Sequence, residues 1–161
     1  MVAVQIPALS EKECERFLKE AIDSPKRRTV KILHQKGDEF NHVFNFIYSD
    51  SYMQPHLHPG DEKIENIHVI KGSCAVIYFD DSGLPVSAHL VGEGGVSCIK
   101  VPAFTWHTYV MLTDEVITYE TMMGIYSPDT WKKMAPWAPS EGLEISAQYL
   151  RDLKAHSKRL L

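Results

Sequence analysis

A chain of 161 residues with 44% hydrophobic and 24% charged side chains can bury roughly two-thirds of its unfolded surface in one core, which excludes a disordered chain and one held together by disulfides. Its net charge of -4 provides no broad basic field, so nonspecific nucleic-acid binding is not expected. No apolar run is long enough to span a bilayer. The first ten residues lack the basic start and apolar stretch of a secretion signal, and Cys14, Cys74 and Cys98 fit neither a disulfide framework nor a thiolate zinc site. The expectation is a single cytoplasmic domain spanning 1–161, with a small-molecule ligand and neither a nucleic-acid nor a membrane partner.

Ser10 and Glu13 have the spacing of a capping box, and Cys14, Phe17, Leu18, Ala21 and Ile22 recur with a helical period until Ser24-Pro25. This predicts an amphipathic helix over about 11–23. Lys26, Arg27 and Arg28 follow, either a solvated junction or an anion-binding edge. From about 29 to 122, short runs rich in Val, Ile, Phe, Tyr and Thr alternate with turn residues. About nine strands without intervening helix predict an antiparallel sandwich or barrel rather than a βαβ fold.

Within that region the run Phe40 to Tyr48 sets Phe44, Phe46 and Tyr48 on one face and Val43, Asn45 and Ile47 on the other. Asn45 is then either a polar group near a site or an ordinary sheet residue. His56 and His58 stand two apart, so in a strand both imidazoles project the same way. The turn residues Pro59-Gly60-Asp61-Glu62 predict a hairpin that places Glu65 opposite His56. Two imidazoles and a carboxylate on one face make a site for a divalent cation. Glu62 is the alternative acid. His107, opening a β-branched and aromatic run after Pro102, is the candidate fourth ligand. Tyr52 and Gln54 share the parity of the first two histidines, and Tyr109 and Met111 that of His107, which makes them candidate pocket lining. His68 has the wrong parity relative to Glu65, and His34, His42, His89 and His156 have no partner at ligand spacing.

After Met122 the sheet pattern fades. Residues 127–142, with Pro128, Pro136 and Pro139 beside Trp131 and Trp137, predict an ordered loop that lids one mouth of the barrel. Ser140 is a candidate cap for a helix carrying Leu143, Ala147, Leu150 and Leu153, ending near 156 in a fraying tail.

The pattern Pro55-His56-Leu57-His58, then Glu65, six residues and Gly72, then Pro102 to His107, resembles the paired motifs of the cupin superfamily. The resemblance implies a small antiparallel β-barrel (a double-stranded β-helix, or jelly roll) in which three His and one Glu hold a metal. Phe104 stands where that pattern usually has Gly, Met111 where it has Asn, and the gap from His58 to Glu65 is longer. A narrower string resembles the WbuC-type cupin-fold metalloproteins of bacteria: Lys26-Arg27-Arg28, Leu33-His34, Ser51-Tyr52, Phe79-Asp80-Asp81-Ser82-Gly83, Thr105-Trp106-His107-Thr108 and Ala135-Pro136-Trp137-Ala138-Pro139-Ser140-Glu141-Gly142. That family is named for a gene found with polysaccharide-biosynthesis genes, and the resemblance implies a homodimer.

The expected fold class is therefore all-β, a cupin-type barrel with an N-terminal and a C-terminal helix. The expected metal ligands are His56, His58, Glu65 and His107, with Fe, Mn, Ni or Zn as the ion. Such a centre serves an enzyme acting on a small oxygen-rich molecule such as a sugar or carboxylate, a metal-dependent dioxygenase, or a non-catalytic binding module. The sequence does not choose among them.

Overall fold

The computed structural model describes residues 5–161, so the first four residues of the stretch read above as lacking a secretion signal lie outside the described residues. The chain begins with helix α1 (Glu11–Asp23) and ends with helix α2 (Ile145–Leu160). Between them lie β1 (Arg28–Ile32), β2 (Phe40–Tyr48), β3 (His56–Leu57), β4 (Glu65–Lys71), β5 (Ser73–Phe79), β6 (Pro85–Gly92), β7 (Cys98–Val101), β8 (His107–Met111), β9 (Glu115–Met123) and β10 (Lys133–Met134). Two antiparallel five-stranded sheets result, ordered β1-β2-β9-β4-β7 and β10-β3-β8-β5-β6. This is the expected double-stranded β-helix with a helix at each end.

Period-two alternation sorts the residues into four layers. On the outer face of the first sheet Phe44, Phe46, Ile117 and Tyr119 pack beneath α1, whose Phe17 ring stacks on Phe46 at 4.9 Å. The Ser10 hydroxyl accepts from the Glu13 amide at 3.1 Å, and the Glu13 carboxylate ties down Lys31 of β1. Between the sheets, Ile47, Ile67, Val101 and Val116 meet Cys74, Val76, Tyr109 and Met111. Outside the second sheet, Ala75, Ile77, Phe79 and Val110 receive Leu150 and Leu153 of α2. The chain crosses from the first sheet to the second at Gly72, whose φ of +78° suits glycine. A Cβ there would lie 2.6 Å from the Glu115 carbonyl.

Three expectations need correction. The segment 59–64 does not close a hairpin: β3 and β4 belong to different sheets, His56 pairs with His107, and Glu65 pairs with Val101. Local bonds from the Lys63 amide to the Gly60 carbonyl and from the Ile64 amide to the Glu62 carbonyl turn the chain out of the sheet plane instead of reversing it within the plane. Helix α2 starts after Glu144, without a side-chain cap from Ser140. It runs on to Leu160, with Leu153 packed against the sheet and Ser157 still buried. Among the described residues no helix is long and apolar enough to cross a membrane.

Candidate metal centre

His56 opens β3, His58 follows it, His107 opens β8, and Glu65 opens β4 in the facing sheet. Their ligand atoms all lie within 4.8 Å of one another, and all four residues are buried. Glu65 Oε2 is 2.9 Å from His107 Nε2 and 3.2 Å from His58 Nε2. Glu62, the alternative acid, is exposed and lies outside the cluster. His68 sits on the other face of β4, with Nε2 3.5 Å from the Cys98 sulfur.

The backbone fixes how the rings are presented. Nδ1 of His56 meets the Gln54 carbonyl at 2.9 Å, Nδ1 of His107 the Thr105 carbonyl at 2.8 Å, and Nδ1 of His58 the Trp131 carbonyl at 2.9 Å. A carbonyl only accepts, so each Nδ1 carries the proton, and a neutral ring directs its Nε2 lone pair into the cluster. Second-layer bonds of this kind orient histidine ligands around metals.

The electrostatics have the same sense. Burial opposes charge on Glu65, yet hydrogen bonds and positive charge from His107 and His58 hold its carboxyl well below the ordinary range. Burial, then the neighbouring charges of His107 and His58, drives His56 well below its usual value. For His58 burial is the largest single effect, but the bond to Glu65, the charge of that carboxylate and the bond to the Trp131 carbonyl together outweigh it, and its value rises.

The donor set fits a divalent first-row ion. With Nδ1 already protonated, His58 and His107 can donate from Nε2 to Glu65 only by each taking a second proton. A cation in that place satisfies the carboxylate and both rings at once. Two donors each ~2.1 Å from one ion lie within ~4.2 Å of each other, so the cluster needs only a slight contraction.

A second buried carboxyl stands beside this set, one the sequence reading passed over. Glu120 of β9 is pushed up to about 8, first by burial and then by the charge of Glu65. It accepts from the Thr118 hydroxyl at 3.0 Å and from the Tyr109 hydroxyl. Its signal was the alternation Val116, Thr118, Glu120, Met122, an acid in an otherwise inward-facing apolar and hydroxyl series. The part played by Trp131 left no such signal, because a main-chain carbonyl is common to every residue.

Two cavities adjoin the cluster and share His58, Glu65, Glu120 and Trp131 as lining. The smaller, about 180 Å³, also has Arg28, Asn45, His56, Tyr109, Lys132 and Glu141. Asn45 and Tyr109 are thus among its lining, whereas Tyr52, Gln54 and Met111 are outside both. Tyr52 packs edge-on to Tyr149 of α2 and donates to the Pro139 carbonyl at 2.7 Å. The Gln54 amide donates to the Ala135 carbonyl at 3.1 Å, and Met111 is in the inter-sheet core. Strand parity misleads at Tyr52 and Gln54 because residues 51–55 are not in a strand.

No curated protein matches the sequence. Among solved structures, protein SO0799 from Shewanella oneidensis is similar with a TM-score of 0.56 at 10% identity, over 81% of this chain and 84% of that one. The capsular polysaccharide assembling protein CapF from Staphylococcus aureus gives a TM-score of 0.56 at 14% identity, over 65% of this chain but 31% of its own; the present chain spans about a third of CapF. Oxalate oxidase in complex with the substrate analogue glycolate gives 0.52 at 16% identity, over 83% of this chain and 74% of that one. At such identities the likeness establishes the fold, which is that of the cupins. The sequence itself matches one family model, "Domain of unknown function (DUF6016)", over residues 9–91, a little over half of the chain, and the protein belongs to that family.

Proposed function

We propose that the protein is a metal-dependent cupin of the WbuC type, in which His56, His58, Glu65 and His107 hold one divalent cation and a small oxygen-rich molecule, a sugar or carboxylate, binds beside it. The observation that carries this reading is the meeting of four buried donor atoms within 4.8 Å, with all three histidines oriented by backbone carbonyls. When bound, the ion supplies Lewis acidity and open coordination positions for an oxygen ligand. The residues of the chain do the rest: Glu65 balances the ion's charge, Tyr109 and Glu120 present a hydrogen-bonded hydroxyl and carboxyl at the cavity wall, and Trp131 covers it. The resemblance of the motif string to WbuC-type proteins supports a homodimer associated with polysaccharide biosynthesis. Elemental analysis of the purified protein is expected to find about one first-row ion per chain, and His107→Ala is expected to lose at least half of it. Full retention in that variant would remove His107 from the set, and absence of any ion from both the purified and the metal-reconstituted protein would end the proposal.

A further inference from the structure

The two cavities beside the cluster differ in character. The larger, about 290 Å³, has Val30, Ile32, Val43, Met122, Tyr126 and Trp131 in its wall; Val30, Ile32 and Tyr126 are substantially exposed, so it opens to solvent through an apolar mouth. The smaller carries Arg28, Lys132 and Asn45. Arg28 is held by Glu141 at 2.8 Å, whereas Lys132 has no ion-pair partner among the described residues. The aliphatic side of the first cavity, Val30, Ile32, Val43 and Met122, suits an apolar group, and the cationic side of the second suits an anionic one.

We infer that the ligand is a small amphiphilic carboxylate: an anionic oxygen head beside the cluster, facing Lys132 and Asn45, and an aliphatic or aryl tail along Val30, Ile32, Val43 and Met122 under Trp131. This rests on the metal-dependent reading above and narrows it from oxygen-rich molecules in general to amphiphilic acids. A cation in the cluster, together with Lys132, offsets Glu65, Glu120 and Glu141 and selects an anionic head, and removal of apolar surface from water drives the tail into place.

Isothermal titration of the metal-loaded protein with glycolate, 2-hydroxybutanoate, 2-hydroxyhexanoate and 2-hydroxyoctanoate tests it, with the metal content of the same sample measured in parallel. The Kd is expected to fall by about fourfold for each methylene added until the cavity is full. Glucose is expected to show no saturable binding. In Ile32→Glu, an exposed edge-strand position where the fold tolerates change, the dependence on chain length is expected to vanish, and Lys132→Ala is expected to weaken every acid by a similar factor. If the metal is present and the acids bind with equal Kd, or not at all, or no better than glucose, the amphiphile is wrong while the metal centre stands. If no metal binds, both fall.

Discussion

The two sheets contribute opposite halves of the centre. The sheet β1-β2-β9-β4-β7 supplies the acids, Glu65 and Glu120, and the sheet β10-β3-β8-β5-β6 supplies His56 and His107, with His58 just beyond the end of β3. Neither half is a site alone. Buried acids gathered on one sheet repel, as the upward displacement of Glu120 by burial and by the charge of Glu65 shows. Clustered histidines repel too when charged, and this adds to burial in holding His56 well below its usual value. Packing the two sheets together turns both repulsions into attraction, and a cation would add to it. Assembly of the sandwich and formation of the centre are therefore one event.

If that is so, removing the ion loosens the joint between the sheets. Adding a chelator to metal-loaded protein is expected to lower unfolding free energy by about 4 kcal/mol where free metal stood a thousandfold above Kd, read as a drop in midpoint denaturant concentration. An unchanged midpoint would mean the ion does not bridge the sheets. Next in size, Glu65→Ala and His107→Ala, one from each sheet, should weaken metal binding by comparable factors, each at least the ~100-fold that loss of a ligand's outer partner can cost. Competition with a chromogenic chelator would reveal a large asymmetry, which would make one sheet the true site and the other a bystander.

A second tie between the halves has no metal. Arg28 of β1 grips Glu141, on the segment that follows β10, with 2.8 Å contacts to both carboxylate oxygens. Burial works against the Glu141 carboxylate, but Arg28 and then Lys26 hold it below its ordinary value of 4.5. Because the folded-state value is the lower one, the stabilisation is present at neutral pH and is lost as pH falls through that depressed value. Glu141→Gln is expected to cost ~2 kcal/mol at pH 7, with the gap to wild type closing under acidic denaturation. A gap independent of pH would assign the loss to packing. The smallest effect belongs to Phe104, at φ +58°, whose amide donates to the His58 carbonyl at 3.0 Å. Phe104→Gly should relieve left-handed strain and raise stability by ~0.5–1 kcal/mol, measured by thermal unfolding.

How far the sequence discloses this depends on the range of the interaction. Alternation along Phe40–Tyr48 separates Phe44 and Phe46 from Val43, Asn45 and Ile47, and the period of Phe17, Leu18 and Ala21 marks α1; both patterns depend only on neighbouring residues. Glu65 was reached by assuming a hairpin opposite His56, yet it meets His58 and His107 across the space between sheets. Pro59-Gly60-Asp61-Glu62 announces a turn without saying whether the strands on either side will pair. Glu120 escaped because its strand pairs with β2 and β4, both distant in sequence. Ser140 has the chemistry of a cap, but the helix begins later, where burial of Ser146 and Leu150 sets its start.

The carbonyl of Trp131 has a practical consequence for anyone probing this centre. Since it is the peptide group that engages Nδ1 of His58, replacing residues one at a time along 127–134 would leave that bond in place and would not test it. Trimming a single residue from the stretch would instead drag the peptide out of reach and let the imidazole swing, so deletions rather than exchanges are the informative edits there.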